Sequence, residues 1–586
     1  MERLKPIGSI KVTLIISLLL GIAWALQVEG DDNGDDDLEW WKKVIIYQIY
    51  PRSYKDTNGD GVGDLKGITS KLDYLADLGI GCIWISPVYP SPMNDFGYDL
   101  TDYEDIESLF GSLADFDELV AEVHKRGLKI IIDFVPSYTS SEHRWFRKSV
   151  RREGKYTDYY IWHDGILLAN GTRAPPSNWL AVFGWSAWAW HPVRQQFYYH
   201  SFFVKQPNLN HRDRNVEWEM KSIIRFWLDR GVDGFRVDAI QQLFVAANYT
   251  LDEPLSGGPS LPYEYDYTKH IYISDQPETV QAVTAYYSVL DEYFHKDGKV
   301  RYMVIETYAD PSIRNTLYAT GGVPFNFGLV RLAPPLTGRK LADRIQEEYQ
   351  NLPKGAWPNF VLGNHDNRRV SYKFGPQNVD ALNLVLLTLW GTPTTYEGEE
   401  LGMTESNISY NQTRDPFGIN FGPDRYQEVS RDPARTPMQW DDGDQAGFTS
   451  GNQTWLPLAD DYKVRNVKTE QESATLTSLQ FYKQLARLRA RPAFISGKFT
   501  VAHVDDNIFS YLRELADDRY LVAVNVGGQE STTDFAAFSS DADAQVLATT
   551  PALKGISANT TASLSAVKLK PGDGVLFKVP AGTIVG

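Results

Sequence analysis

Eight short apolar runs, separated by helix-length amphipathic stretches, constrain this chain more than any other feature of its sequence. They are VIIYQI from Val44, CIWI from Cys82, KIIIDF from Lys129, GFRV from Gly234, MVI from Met303, PFNF from Pro324, NFVL from Asn359 and TTY from Thr394. Such alternation marks βα units, and eight parallel strands close a barrel. The runs are apolar on both parities, as strands between a filled interior and an outer helix layer must be. The stretch Leu113 to Arg126, apolar at Phe116, Leu119, Val120 and Val123, supplies one covering helix. The expected fold class is α/β, a (β/α)8 TIM barrel.

Two regions depart from the repeat. KIIIDF and GFRV lie roughly a hundred residues apart, far more than one helix and two loops occupy, so an excursion domain is expected at 138–207. It interrupts the barrel, whose parts span 40–137 and 208–490. The insert is rich in aromatics (Trp179, Trp185, Trp188, Trp190, Tyr198, Tyr199, Phe202, Phe203), read first as its own core, with stacking on sugar faces the alternative. Over 491–586 the alternating runs NIFSYLR, RYLVAVNV and GVLFKV predict a C-terminal antiparallel β-sandwich domain.

The segment MERLKPIGSIKVTLIISLLLGIAWA has a basic start, an apolar middle and alanines spaced A-x-A, the pattern of a cleaved signal peptide over 1–25. A membrane anchor is the alternative, but the apolar stretch falls short of the about 20 residues a span requires. An acidic linker, 26–39, follows. Six sequons, at Asn170, Asn248, Asn407, Asn411, Asn452 and Asn559, fit a secreted, extracellular glycoprotein. With 58 basic against 75 acidic side chains and a net charge of -17, a nucleic-acid partner is disfavoured. The single cysteine, Cys82, rules out an internal disulfide and a cysteine-based metal cage, and its apolar surroundings make it an inert thiol.

Chemistry in a barrel collects at the C-terminal ends of the strands. There the sequence places Asp133 after the third run, Arg236 and Asp238 after the fourth, Glu306 after the fifth, and His365 and Asp366 after the seventh. Carboxylates converging on one rim suit glycoside hydrolysis, which uses one as nucleophile and one as proton donor. A structural ion network or an oxygen-ligand metal site would use the same residue types.

The motifs QIYPRSYKDTNGDGVGDLKGI, GYDLTDY, QPNLN, GFRVDAI, ETY, GNHDNRRV, GEELGM and SRDPARTPMQW decide among these. In this order and at these spacings the chain resembles the maltase-like α-glucosidases of the α-amylase family, those of insects above all, over essentially its whole mature length. The resemblance implies a retaining exo-α-glucosidase that releases terminal α-1,4-linked glucose from maltose and short maltooligosaccharides, with sucrose within reach and no organic cofactor. Ala239, the small residue after Asp238, goes with that linkage preference in the family. Asp238 resembles the nucleophile, Glu306 the acid/base, and Asp366 the carboxylate favouring the oxocarbenium-like transition state. Arg236 would keep Asp238 ionised, His365 would donate to the sugar, Asp99 and Arg431 would grip the non-reducing end, and Tyr98 would stack on it.

Two departures touch this machinery. The family's third strand ends D-x-x-x-N-H, whereas DFVPSYTS carries Ser137 and Tyr138 at the last two places, making Tyr138 a candidate substrate contact. QPNLN has Asn208 where aspartate is common. These changes keep open a second reading, a catalytically weakened relative serving as a binding or receptor surface. Lastly, Asp56, Asn58, Asp60, Val62 (through its carbonyl) and Asp64 set oxygen donors at alternate positions among glycines, the spacing of a Ca²⁺ loop. The resemblance favours a structural Ca²⁺ there.

Overall fold

The computed structural model describes Gln27, Val28 and residues 38–580. The expected signal peptide and most of the acidic linker lie outside the described residues. The eight runs form eight strands: β1 (Ile46–Ile49), β2 (Cys82–Ile85), β3 (Lys129–Phe134), β4 (Gly234–Val237), β5 (Tyr302–Ile305), β6 (Val323–Pro324), β7 (Asn359–Val361) and β8 (Thr392–Tyr396). All pair in parallel, in the order β6-β5-β4-β3-β2-β1-β8-β7.

The order leaves one seam, between β6 and β7, and a side chain bridges it. Asn359 on β7 donates through Nδ2 to the Pro324 carbonyl (2.8 Å) and accepts from the Asn326 amide through Oδ1 (2.9 Å). PFNF yields only the two-residue β6 because Pro324 brings no N–H to a ladder. At the start of β4 only glycine fits: a Cβ on Gly234 would stand 1.9 Å from the Tyr302 carbonyl oxygen of β5.

The barrel is filled and wrapped by apolar side chains. The helix Leu113–Lys125 starts at a capping box, in which the Ser112 hydroxyl accepts from the Asp115 amide and the Asp115 carboxylate from Ser112. It buries Phe116, Leu119, Val120 and Val123, each worth about 1.5–3 kcal/mol relative to exposure. The helix Arg214–Asp229 leads into β4 and buries Val216, Met220, Ile223, Ile224, Trp227 and Leu228.

Between β3 and β4 lie a three-stranded antiparallel sheet (Trp162–His163, Gln196–Tyr199, Trp188–His191) and a hairpin of Ile166–Leu167 with Arg173–Ala174. Trp179, Trp188, Phe197 and Tyr199 form a separate apolar cluster there, so part of the aromatic content does serve as local core. Beyond the barrel, a seven-stranded antiparallel sheet is built on Lys498–Val504, Ile508–Leu515, Asp518–Asn525 and Gly574–Lys578. Its edge strand is Gln27–Val28, with Gln27 opposite Thr500 and Val28 opposite Phe499. That stretch was expected to be linker; the open backbone edge of Lys498–Val504 recruits it. Among the described residues no helix is long and apolar enough to cross a membrane.

Candidate active site

The strand ladder itself delivers the acidic groups. Arg236 on β4 is paired in register with Asp133 on β3 and Val304 on β5. Just past the strands the pattern continues, Asp238 N–H donating to the Phe134 carbonyl (2.8 Å) and Glu306 N–H to that of Val237 (2.9 Å). Ala239 then turns into the left-handed region (φ 47°), a conformation uncommon for a residue with a Cβ, and its N–H donates to Glu306 Oε2 at 2.8 Å.

Arg236 is the hub. Its guanidinium, fully buried, pairs with Asp133 Oδ1 (3.1 Å), with Glu306 Oε2 (2.9 Å) and with Asp238 Oδ1. Burial raises the proton affinity of Glu306; Arg236 opposes this, but Asp238 and Asp366 reinforce it, and the carboxyl ends well above the ordinary range. Burial likewise pushes Asp133 up to about 7 against the pull of Arg236, with Asp238 adding to the rise. Burial pushes Asp366 the same way, but His365 and the guanidiniums of Arg431, Arg435 and Arg236 outweigh it and hold Asp366 below the ordinary range. Since burial keeps His365 itself neutral, the arginines carry that effect at neutral pH. Arg435 stands 2.8 Å and Arg431 3.2 Å from Asp366 Oδ1. The raised proton affinity of Glu306 is the direction that a general acid requires.

These groups open into a cavity of about 350 Å³ whose polar lining includes Asp95, Tyr98, Tyr138, Asp238, Glu306, Asp366 and Arg431. Phe183, Phe202 and Phe417 line its apolar side. Tyr138 is buried, and its hydroxyl donates to Asp238 Oδ2 at 2.9 Å, so both carboxylate oxygens of Asp238 have partners. Tyr98 lines the cavity and lies flat on His365 (centroids 5.4 Å, 5°), its hydroxyl 2.8 Å from Asp133 Oδ2 and from His365 Nε2.

Two expected sugar contacts stand elsewhere. Asp99 faces away from the cavity: its carboxylate accepts from the Ser91 hydroxyl, both nitrogens of Asn94 and the Asp95 amide, pinning the loop that precedes it. The left-handed turns at Phe96 and Gly97 instead present Asp95, whose Oδ1 pairs with Arg431 Nη2 at 2.7 Å. Burial pushes Asp95 up to about 6 against that guanidinium. His365 is fully buried behind the wall, clamped between Gln48 (2.7 Å to Nδ1) and Tyr98. Arg236 also lies behind the lining.

The departures from the family pattern are absorbed locally. Ser137 donates to the Ala239 carbonyl (2.9 Å), bracing the turn after Asp238. Asn208 accepts from the amide and hydroxyl of Ser201 and donates to the Gln242 carbonyl (3.2 Å), a donation that aspartate lacks. Sequence reading missed Asp95, Arg435 and the three phenylalanines. Asp95 lies two residues before the motif GYDLTDY and Arg435 inside SRDPARTPMQW, while Phe202 is among the aromatics read first as the insert's core.

The loop 56–64 offers oxygen donors of the type a hard cation takes. It also closes on itself: Asp56 accepts from the amides of Asn58, Gly59 and Gly61, Asp60 from Val62, and Asp64 caps the next helix at Gly67. Among the described residues no group of three or more His, Cys, Asp or Glu is placed to hold a metal ion. The six sequon asparagines are all exposed. Cys82 is a buried free thiol.

Comparison with known proteins places this geometry. Residues 48–497 match the model of the α-amylase catalytic domain. Maltase A1 of Drosophila melanogaster is 44% identical over 85% of this chain and 89% of its own. A salivary α-glucosidase of Anopheles gambiae is 44% identical over 84% and 85%. Among solved structures, the α-glucosyl transfer enzyme XgtA superposes with a TM-score of 0.81 at 34% identity, over 93% of this chain and 100% of its own. The chain is a glycoside hydrolase of the α-amylase family, akin to the insect maltases and α-glucosidases.

Proposed function

We propose that the protein is a secreted, retaining exo-α-glucosidase for α-1,4-linked glucose at the non-reducing end of maltose and short maltooligosaccharides. The observation that carries this is the shared guanidinium of Arg236, which faces Asp133, Asp238 and Glu306 beside a cavity whose wall includes the Asp95–Arg431 ion pair. In this reading Asp238 attacks the anomeric carbon while Glu306 protonates the departing oxygen, then deprotonates the water that releases glucose. Asp366, kept ionised by Arg431 and Arg435, supports the positive charge that develops on the sugar. Asp95 and Arg431 hold the terminal glucose. Tyr138 donates to the carboxylate of Asp238 and strengthens that bond as the glucosyl ester breaks and the charge returns.

Salivary relatives support the secreted location. A structural Ca²⁺ in the loop 56–64 belongs to the same proposal, and a Tm identical in excess Ca²⁺ and in EDTA would remove it. The deciding experiment is glucose release from maltose, sucrose and isomaltose by the purified protein, with the product anomer followed by NMR. Asp238→Asn should abolish turnover with the fold intact; a variant as active as the wild type would sink the assignment.

A further inference from the structure

The cavity does not end abruptly at its apolar side. Phe183 and Phe417, both in its wall, stack at 4.9 Å and 20°. From Phe417 the aromatic contacts continue outward to Phe421 (5.2 Å), from Phe421 to Tyr263 (6.3 Å) and from Tyr263 to Trp185 (4.8 Å, 14°). Trp185 is two residues from Phe183 along the chain and 57% exposed.

Trp185 is held in place against its own backbone preference. Its φ is +69°, an outlier for so bulky a side chain, and such strain persists only where the surroundings impose it. Here they do: Trp185 N–H donates to the Tyr263 carbonyl (2.6 Å) and its carbonyl accepts from Ala181 (2.9 Å). Tyr263 is fixed in turn, its hydroxyl accepting from Arg425 (3.1 Å), which is ion-paired with Glu264 and Glu428. Tyr263 stacks on the indole, and more than half of the Trp185 surface stays open to water. A rigid aromatic face beside a sugar pocket is a surface for the apolar face of a pyranose ring.

We propose that Trp185, backed by Tyr263, is an outer sugar-binding platform for the glucose units of a maltooligosaccharide that project beyond the cavity. The proposal rests on the glucosidase reading in one respect, that the non-reducing end enters first, so that the remainder of the chain leaves over this rim. A disaccharide is too short to reach it. The platform therefore sets the preference for chain length without touching the reacting bond.

The test compares wild type, Trp185→Asn and Trp185→Tyr on maltose through maltoheptaose. Asparagine tolerates the left-handed backbone but has no ring; tyrosine keeps a ring. For maltopentaose and longer substrates, Trp185→Asn should raise KM by about fivefold. Kinetics on maltose should stay unchanged, and Trp185→Tyr should recover most of the loss. Calorimetry with maltoheptaose on Asp238→Asn, with and without Trp185→Asn, reads the same dependence without turnover. An active enzyme whose KM and maltoheptaose Kd ignore Trp185 overturns the platform and leaves the glucosidase reading standing. A Trp185-dependent Kd in a wild type without glucosidase activity does the reverse.

Discussion

Two acidic clusters sit at the strand ends of this barrel, and only one is equipped for chemistry. Around the cavity, Asp133, Asp238, Glu306 and Asp366 share the guanidiniums of Arg236, Arg431 and Arg435. Beyond β8, Glu397, Glu399 and Glu400 are just as buried but are met by backbone amides and phenols. Tyr50 N–H donates to Glu397 (2.9 Å), Tyr396 N–H to Glu399 (3.0 Å), and the Tyr47 and Tyr74 hydroxyls to Glu400 (2.7 and 2.8 Å). Arg369 lies close by, yet its guanidinium donates to the Glu397 backbone carbonyl and not to a carboxylate of this cluster. Burial accordingly pushes Glu397 and Glu399 each up to about 8, against the weaker pulls of a backbone amide and Arg369. Buried carboxylates alone do not make a site. Where two guanidiniums meet one carboxylate, at Asp366, the carboxyl is held below the ordinary range, whereas Asp133 and Glu306, which share Arg236, are raised as Glu397 and Glu399 are.

The sharpest way to break this contrast is Arg236→Met, which strips the cavity cluster of its shared cation. Uncompensated buried carboxylates should cost about 3–5 kcal/mol of stability, read by chemical denaturation, and kcat/KM should fall by at least about 10³-fold. An active, equally stable variant would show that the hub is dispensable. A smaller effect is expected from Tyr138→Phe, which removes one donor from Asp238. If the phenol assists the return of charge to Asp238, kcat should drop by about tenfold, with KM falling alongside as glucosyl-enzyme accumulates. Unchanged kcat would reduce Tyr138 to packing.

The smallest effect belongs to the other cluster. Glu397→Gln keeps the acceptor for Tyr50 and should alter stability by less than about 1 kcal/mol near pH 5. The sign follows from the raised pKa: below the ordinary carboxylate value both states hold the proton and the native state keeps its full advantage. As pH climbs from there through about 8, the unfolded chain ionises freely while the folded one resists, so stability drains away. Tm should decline from about pH 5 to about pH 8.5 in the wild type and less steeply in Glu397→Gln. Parallel Tm curves would mean that Glu397 does not hold its proton.

Much of this was legible in the sequence because strand-end chemistry travels with strand periodicity. The eight runs fall on eight strands, and Asp238, Glu306 and Asp366 do meet at one cavity. What escaped was set by backbone turns and by depth. Whether Asp95 or Asp99 faces the cavity depends on the left-handed residues Phe96 and Gly97 between them, which spacing does not reveal. His365 lies next to Asp366 in sequence but one layer deeper in space, beneath the ring of Tyr98. The aromatic insert divides in a way that composition hides: Trp179 and Trp188 are core, Phe202 is cavity wall, and Trp185 is surface.

The Asn359 bridge has a mechanical meaning. A ring of strands joined everywhere by backbone bonds has no end, and a disturbance at one strand is shared around the circuit. Here the circuit is a strip with a clasp: β6 and β7 are its two ends, and one carboxamide with two bonds fastens them. Glu306 follows β5, next to one end, and Asp366 follows β7 at the other. The clasp therefore joins the two ends of the strip near which these two carboxylates stand.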